Sequence, residues 1–408
     1  MSEWKEFNLA DIYDFSSGLS KPRKEFGFGY DFLSFKDVFD NYFLPGKLSS
    51  LVNSNEKERE RCSIKKGDVF LTRTSETDDD LGMSSVALKD YPSATFNGFT
   101  KRLRPKAANI VMPEFAGFYF RSTYFRAIVT SMASITTRAS LNNQMLGAIN
   151  IKLPPLPEQK AIAAVLSSLD DKIDLLHRQN KTLEALAETL FRQWFIEESK
   201  GDWEVIELSE IIDLRGGFVH NTKATGDTVC KIAKMGVVNG KDFFNRNSVI
   251  NYSEEIPEKF KLTEDDLIIC TRDVTQDRIV IGNVAIVPKD LADFGIYAGS
   301  NTWTVKTKFD IYFLFLLFRS QDFRNHIIQS SKGSTIVMIT RDAFLSKKIN
   351  IPPNKTLYQN MDQINPFIKK IKINSMQIQL LEKLRDTLLP KLMSGEVNLR
   401  MKNKDYEN

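Results

Sequence analysis

The sequence predicts an α+β chain: two duplicated, mixed α/β modules separated by two long helices that form a coiled-coil spacer. Three observations carry this. Pro154–Phe195 repeats apolar residues at alternating steps of four and three, and Tyr358–Leu392 carries a similar apolar stripe. Each stretch follows a segment ending in a proline pair, Pro154-Pro155 and Pro352-Pro353. The segments before them match each other in order, so the chain reads module, rod, module, rod. The implied boundaries are 1–153, 154–200, 201–353 and 354–400, with a polar tail at 401–408.

The first module opens with Trp4, Phe7, Leu9 and Ile12. Asp14–Asp31 is Gly-rich and carries Lys21, Arg23 and Lys24, which reads as a surface loop. Gly67-Asp68 marks a turn before a strand of Val69, Phe70 and Leu71; Val86–Leu88 and Phe96–Leu103 read as further strands. Aromatic residues at helical spacing predict one helix over Glu114–Met132. A polar loop, Ser134–Asn143, and a strand, Ile149–Leu153, complete the module.

In the first rod, Ile162, Leu166, Leu169, Ile173, Leu176, Leu183, Ala187, Leu190 and Trp194 form one apolar seam, broken only by Asn180. At about 1.5 Å per residue, about 38 helical residues span about 55 Å, too long for one core helix. A rod with a single apolar seam requires a partner. Asn180 either pins the register of that pairing or faces solvent at the seam edge.

The second module repeats the first. WKEFNLADIYDFSSG at 4–18 matches WEVIELSEIIDLRGG at 203–217 without a gap, GDVFLTR at 67–73 matches DDLIICTR at 265–272, and INIKLPP at 149–155 matches INIPP at 349–353. In the second rod the seam runs through Met361, Ile364, Ile368, Ile371, Ile378, Leu381, Leu384, Leu388 and Leu392, and Pro390 is expected to kink or stop it.

The 408 residues suffice for two or three domains. A net charge of +4 permits nucleic-acid binding without arguing for it. Cys62, Cys230 and Cys270 give no disulfide framework and suit a reducing cytoplasm. The longest apolar run, Ile311–Phe318, is too short to span a bilayer, and Met1–Asp11 lacks a signal core, so no membrane role is expected. Catalytic and metal-binding chemistry is sparse. His177, His220 and His326 lie far apart; Gly240-Lys241 is followed by Asp242, so it is no phosphate loop; Glu198-Ser199-Lys200 reads as a helix end. No catalytic residue, metal or cofactor is assigned to this chain. What remains is binding chemistry: Lys21, Arg23 and Lys24, the run Lys101-Arg102-Arg104-Lys106, and polar loops at Arg73-Thr74, Thr136-Thr137-Arg138, Thr271-Arg272 and Thr340-Arg341. Arg215, His220 and Lys223 of the second module join this candidate set. Such side chains either hold phosphates and read base edges or line solvated turns.

The stretch LPPLPEQKAIAAVLSSLDDKIDLL at 153–176 and the ending LLPKLMSGEV at 388–397 resemble the specificity subunit of type I restriction-modification systems. The resemblance covers nearly the whole chain, with one departure: PPNKTLYQN stands at 352–360 where the first rod has PPLPEQ. It implies that each module is a target recognition domain for one half of a bipartite sequence in double-stranded DNA. It implies that the two helices pack antiparallel, set the half-site spacing and dock two modification subunits, which methylate adenine N6 with S-adenosylmethionine. Two restriction subunits would add the ATP- and Mg-dependent motor and nuclease. The chain itself would specify without catalysing. The alternative is a tandem protein-interaction scaffold, which lacks the steep salt dependence of DNA binding.

Overall fold

The apolar pattern becomes two helices and two sets of twisted sheets. The computed structural model describes residues 4–74, 81–133, 140–199, 203–221, 228–240, 242–274, 278–333 and 336–397. They fall into two compact units, Met1–Leu175 with Ile378–Asn408, and Leu176–Gln377. No described helix is long and apolar enough to cross a membrane.

The first unit holds strands β1 (Lys5–Asn8), β2 (Tyr13–Ser17), β3 (Phe26–Leu33), β4 (Ser50–Val52), β5 (Val69–Thr72), β6 (Ser84–Val86), β7 (Thr95–Phe96), β8 (Thr100–Pro105) and β9 (Asn150–Leu153). The main sheet has the order β2-β8-β5-β6, all antiparallel. A second sheet has the order β4-β3-β7, with β3 parallel to β7, and β1 pairs with β9 to close the module. β5 is buried throughout because both its faces are covered. Val69 and Leu71 enter one core cluster and Phe70 the other, as the two-residue period of a strand requires.

The second unit repeats this plan with β10 (Glu204–Glu207), β11 (Ile212–Gly216), β12 (Cys230–Ala233), β13 (Val249–Tyr252), β14 (Lys261–Leu262), β15 (Leu267–Cys270), β16 (Arg272–Asp273), β17 (Val284–Ile286), β18 (Ile296–Ala298), β19 (Thr302–Thr307), β20 (Val337–Met338) and β21 (Lys348–Ile351). The order β11-β19-β15-β17 reproduces that of the first main sheet. β12 runs parallel to β18, as β3 does to β7, and β10 pairs with β21. The additions are β14, at the edge of the second sheet, and the separate pair β16 and β20. Leu267 and Ile269 face one core, Ile268 and Cys270 the other. The central position buries the Cys270 thiol and pushes its pKa up to about 11.

The first long helix is Leu156–Arg192, continued by a wider turn over Gln193–Glu197. The second is Asn354–Met393. In the first unit, Ile162 and Leu166 of one and Leu392 and Met393 of the other join the module core, and Arg385 pairs with Asp170 at 2.9 Å. In the second unit, Ala187 and Phe191 of the first helix and Leu357, Met361, Ile364 and Ile368 of the second join the core. Arg319 ties the module there to Glu184 and Glu188 of the first helix. Burial pushes Glu184 up to about 7, against the pull of Arg319.

Three expectations need correction. The span expected to be one helix over Glu114–Met132 is two, Pro113–Tyr119 and Thr123–Ala133, separated at Phe120–Ser122; the Phe125 amide donates to the Ser122 hydroxyl at 3.3 Å where the second begins. Pro390 does not stop the second long helix, because Leu392 and Met393 are buried in the core and hold its last turn. Pro366 also lies inside that helix, which reading by apolar period alone overlooked. The segment read as a loop over Asp14–Asp31 contains most of β2 and most of β3.

Candidate nucleic-acid interface

The helix seam is the best-defined part of the candidate set. Leu166, Ile173, Leu176, Ile364, Ile368, Ile371 and Ile378 are buried, and Leu169, Leu183, Leu190, Leu381 and Leu388 are half-buried. Asn180 is not a solvent-facing residue of the seam edge. In the second unit its side-chain oxygen accepts from Asn374 Nδ2 at 2.9 Å, and its own Nδ2 donates to the Ser375 hydroxyl at 3.4 Å. Asn374 is fully buried and went unnoticed in the sequence, because a single Asn interrupts an apolar stripe without announcing its partner.

The basic and polar candidates separate by what holds them. The run Lys101–Lys106 is bound by the protein itself. Lys101 donates to Ser17 Oγ at 2.9 Å and Asn143 Oδ1 at 2.7 Å. Burial and the neighbouring Arg73 lower its pKa. Arg102 donates to the Ser63 carbonyl at 2.6 Å, Arg104 forms a two-pronged pair with Asp68, and Lys106 donates to the Ala10 carbonyl. Arg73 and Thr74 leave the end of β5, where Thr74 bridges to Ser140, and both are half-buried. Arg73, Thr74 and Lys101 are thereby brought together at one end of the main sheet. The matching end of the second module pairs β16 with β20, which leaves Arg272 exposed opposite Met338.

Arg341 begins the short helix Arg341–Leu345 and pairs with Asp213. Arg215 is exposed on β11 and donates to the Lys259 carbonyl at 3.1 Å. His220 is half-buried beside Tyr252, ring edge to ring face, with centroids 6.3 Å apart. Lys21 pairs with Glu58 at 2.8 Å. Arg23 and Lys24 lie on a short exposed turn, Arg23–Glu25, and have no side-chain partner among the described residues. Arg138 and Lys223 lie outside the described residues, as do Thr136, Thr137, Lys200, Lys241 and the tail 401–408.

Sequence reading passed over an exposed aromatic ridge of the first module, Phe26, Phe28 and Tyr30, with Arg59 above the Tyr30 ring at 3.9 Å. The alternation Phe-Gly-Phe-Gly-Tyr over residues 26–30 was the available signal.

Residues 1–185 and 200–383 each match the family model described as the type I restriction modification DNA specificity domain. The chain is 26% identical to the type I restriction enzyme MjaIX specificity subunit of Methanocaldococcus jannaschii, over 97% of this chain and 94% of that one. It is 29% identical to the HindI specificity subunit of Haemophilus influenzae over 48% of this chain and 42% of that one. The crystal structure of a type I restriction-modification S subunit from M. genitalium shares the fold, with a TM-score of 0.58, 14% identity, and coverage of 98% of this chain and 97% of that one. Two matched domains, one in each repeat, spanning most of the sequence place this chain in the type I restriction-modification DNA specificity family.

Proposed function

We propose that this chain is the specificity subunit that directs a type I restriction-modification complex to a bipartite DNA target, each module reading one half-site. The observation that carries this is the repeated sheet order, β2-β8-β5-β6 in one module and β11-β19-β15-β17 in the other, within a family defined by DNA specificity. Two equivalent frames carrying different surface residues suit two different half-sites in a fixed relation. The long helices set the spacing between half-sites and dock two modification subunits, which transfer methyl groups from S-adenosylmethionine to adenine N6. Two restriction subunits, with ATP and Mg, add translocation and cleavage. On this reading the chain contributes sequence choice and no bond-breaking step. The complex would work in the cytoplasm, where its substrate DNA lies.

The test is a module exchange. Replacing residues 1–153 by the corresponding module of a relative, followed by methylation profiling of the host genome, should change one half of the methylated motif and leave the other intact. A motif changed in both halves, or in neither, would contradict independent reading.

A further inference from the structure

The exposed aromatic ridge of the first module has a built geometry. Phe26 and Tyr30 both lie opposite Val52, so Gly27, Phe28 and Gly29 are in excess over the partner strand and arch away from it. Both glycines have positive φ, +96° and +95°. At Gly29 any Cβ would sit 2.6 Å from the Val52 carbonyl oxygen, so only glycine fits. The flanking rings are anchored. Phe26 packs edge-on against Phe32 at 5.3 Å, and Tyr30 lies beneath the Arg59 guanidinium. Phe28, between them, is 51% exposed and has no ring partner among the described residues.

The charges around the ridge favour an anionic occupant. Glu25 is engaged by Asn53, and Glu58 by Lys21 and its own helix start. Arg23 and Lys24 are left exposed just before the ridge. Asp31, Glu56 and Glu60 are exposed as well, so the positive side is the Arg23-Lys24 turn rather than the whole hairpin. A protein-docking patch needs a continuous apolar area. Here a single projecting ring sits between anchored neighbours and beside free cations, as in proteins that insert an apolar side chain between base pairs while their cations hold the phosphates.

We propose that Phe28 is a wedge that enters the duplex at the half-site read by the first module and parts one base step, with Arg23 and Lys24 on the flanking phosphates. The proposal rests on the DNA-reading function above and adds a distortion of the target to it.

The test uses the full chain with its modification subunits and duplexes carrying the methylated motif, with 2-aminopurine placed in turn at each step of the first half-site. The intact complex should raise the fluorescence of the probe at one step. Phe28→Ala should abolish that rise and weaken binding on the order of tenfold, the scale of one lost base-stacking contact, while the salt dependence keeps its slope. Phe28→Leu, still an apolar wedge, should retain most of the rise. Arg23→Ala with Lys24→Ala should flatten the log–log salt slope by about two and leave the rise intact at saturating protein. If the Phe28→Ala variant binds and reports like the parent while the Arg23/Lys24 variant flattens the slope, the wedge is refuted and DNA reading by this module stands. If Phe28→Ala instead releases the modification subunits with DNA distortion unchanged, the ridge is a protein-docking site and the wedge is again refuted. If the intact complex binds no duplex, both readings fall together.

Discussion

Gln159 anchors the start of the first long helix. It is 1% exposed, and its side chain makes three hydrogen bonds: it accepts from the Met112 amide at 2.9 Å and donates to the carbonyls of Ile110 and Pro154 at 2.9 and 3.0 Å. Its neighbour Glu158 accepts from the Trp4 indole at 3.4 Å. The proline-rich entry to the helix is thus stitched to Trp4, just before the first strand, and to the loop before Pro113. Counting from Pro155 and from Pro353, Leu357 takes the place of Gln159 in the second unit, and it is buried in the apolar core. The departure of PPNKTLYQN from PPLPEQ therefore exchanges a polar anchor for an apolar one. Gln159→Ala should destabilise the first unit by about 3 kcal/mol, because it leaves a buried amide hydrogen and two carbonyls unpaired. Gln159→Leu should not recover that loss, since bulk replaces none of the three bonds. Urea unfolding of the full chain, followed by hydrogen exchange at Met112, would check both; unchanged protection at Met112 in either variant would contradict the anchor.

At the scale of the elements, the long helices were the most legible feature and their interruptions the least. An apolar residue every three or four positions predicts a seam whatever the partner is, and the seam residues are buried or half-buried except Leu384, which is exposed. Proline rules mark where a helix is costly, not where it ends, and packing of Leu392 and Met393 outweighs the cost of Pro390. The bulge in β3 was illegible for the opposite reason. Glycines punctuate loops in general, and only the partner strand shows that two of them hold a phenylalanine out of a ladder. The Asn180–Asn374 pair gives the seam its chemical specificity. Asn374 Oδ1 is buried without a hydrogen bond among the described residues, so the pair is a register device with a stability cost. Asn180→Leu alone should destabilise the second unit by about 2 kcal/mol, because it leaves the Asn374 amide with no partner across the seam. Asn180→Leu with Asn374→Leu should recover that loss or exceed it, since apolar side chains of similar volume replace both polar groups. A double-mutant cycle measured by urea unfolding would show this as a coupling energy; additive losses would mean that the two amides do not act on each other.

For the whole molecule, duplication was readable from Trp4 against Trp203 and from the two proline pairs, and the sheet orders bear it out. The interface was less readable, because a basic residue looks alike in sequence whether it meets solvent or the protein. Lys101 turned out to be held by Ser17 and Asn143, whereas Arg23 and Lys24 are exposed and have no side-chain partner among the described residues. The duplication also bears on whether one half of the chain can replace the other. A chain truncated near Lys200 keeps one module and one long helix, and a second copy would have to supply the missing seam. Counting again from Pro155 and Pro353, Leu176 corresponds to Asn374, and Trp194 and Phe195 correspond to Leu392 and Met393. In a twofold pair of truncated chains, Asn180 of each copy would face Leu176 of the other rather than an amide. Larger aromatic rings would also have to fit where Leu392 and Met393 pack in the first unit. The truncated chain should therefore associate weakly despite its exposed apolar seam. Asn180→Leu in that background should tighten association at least tenfold, because two buried, unpaired amides are removed from each dimer at about 1 kcal/mol or more apiece. Sedimentation equilibrium of the two truncated proteins gives the comparison. Equal dissociation constants would show that the seam does not discriminate between its own partner helix and a second copy of itself.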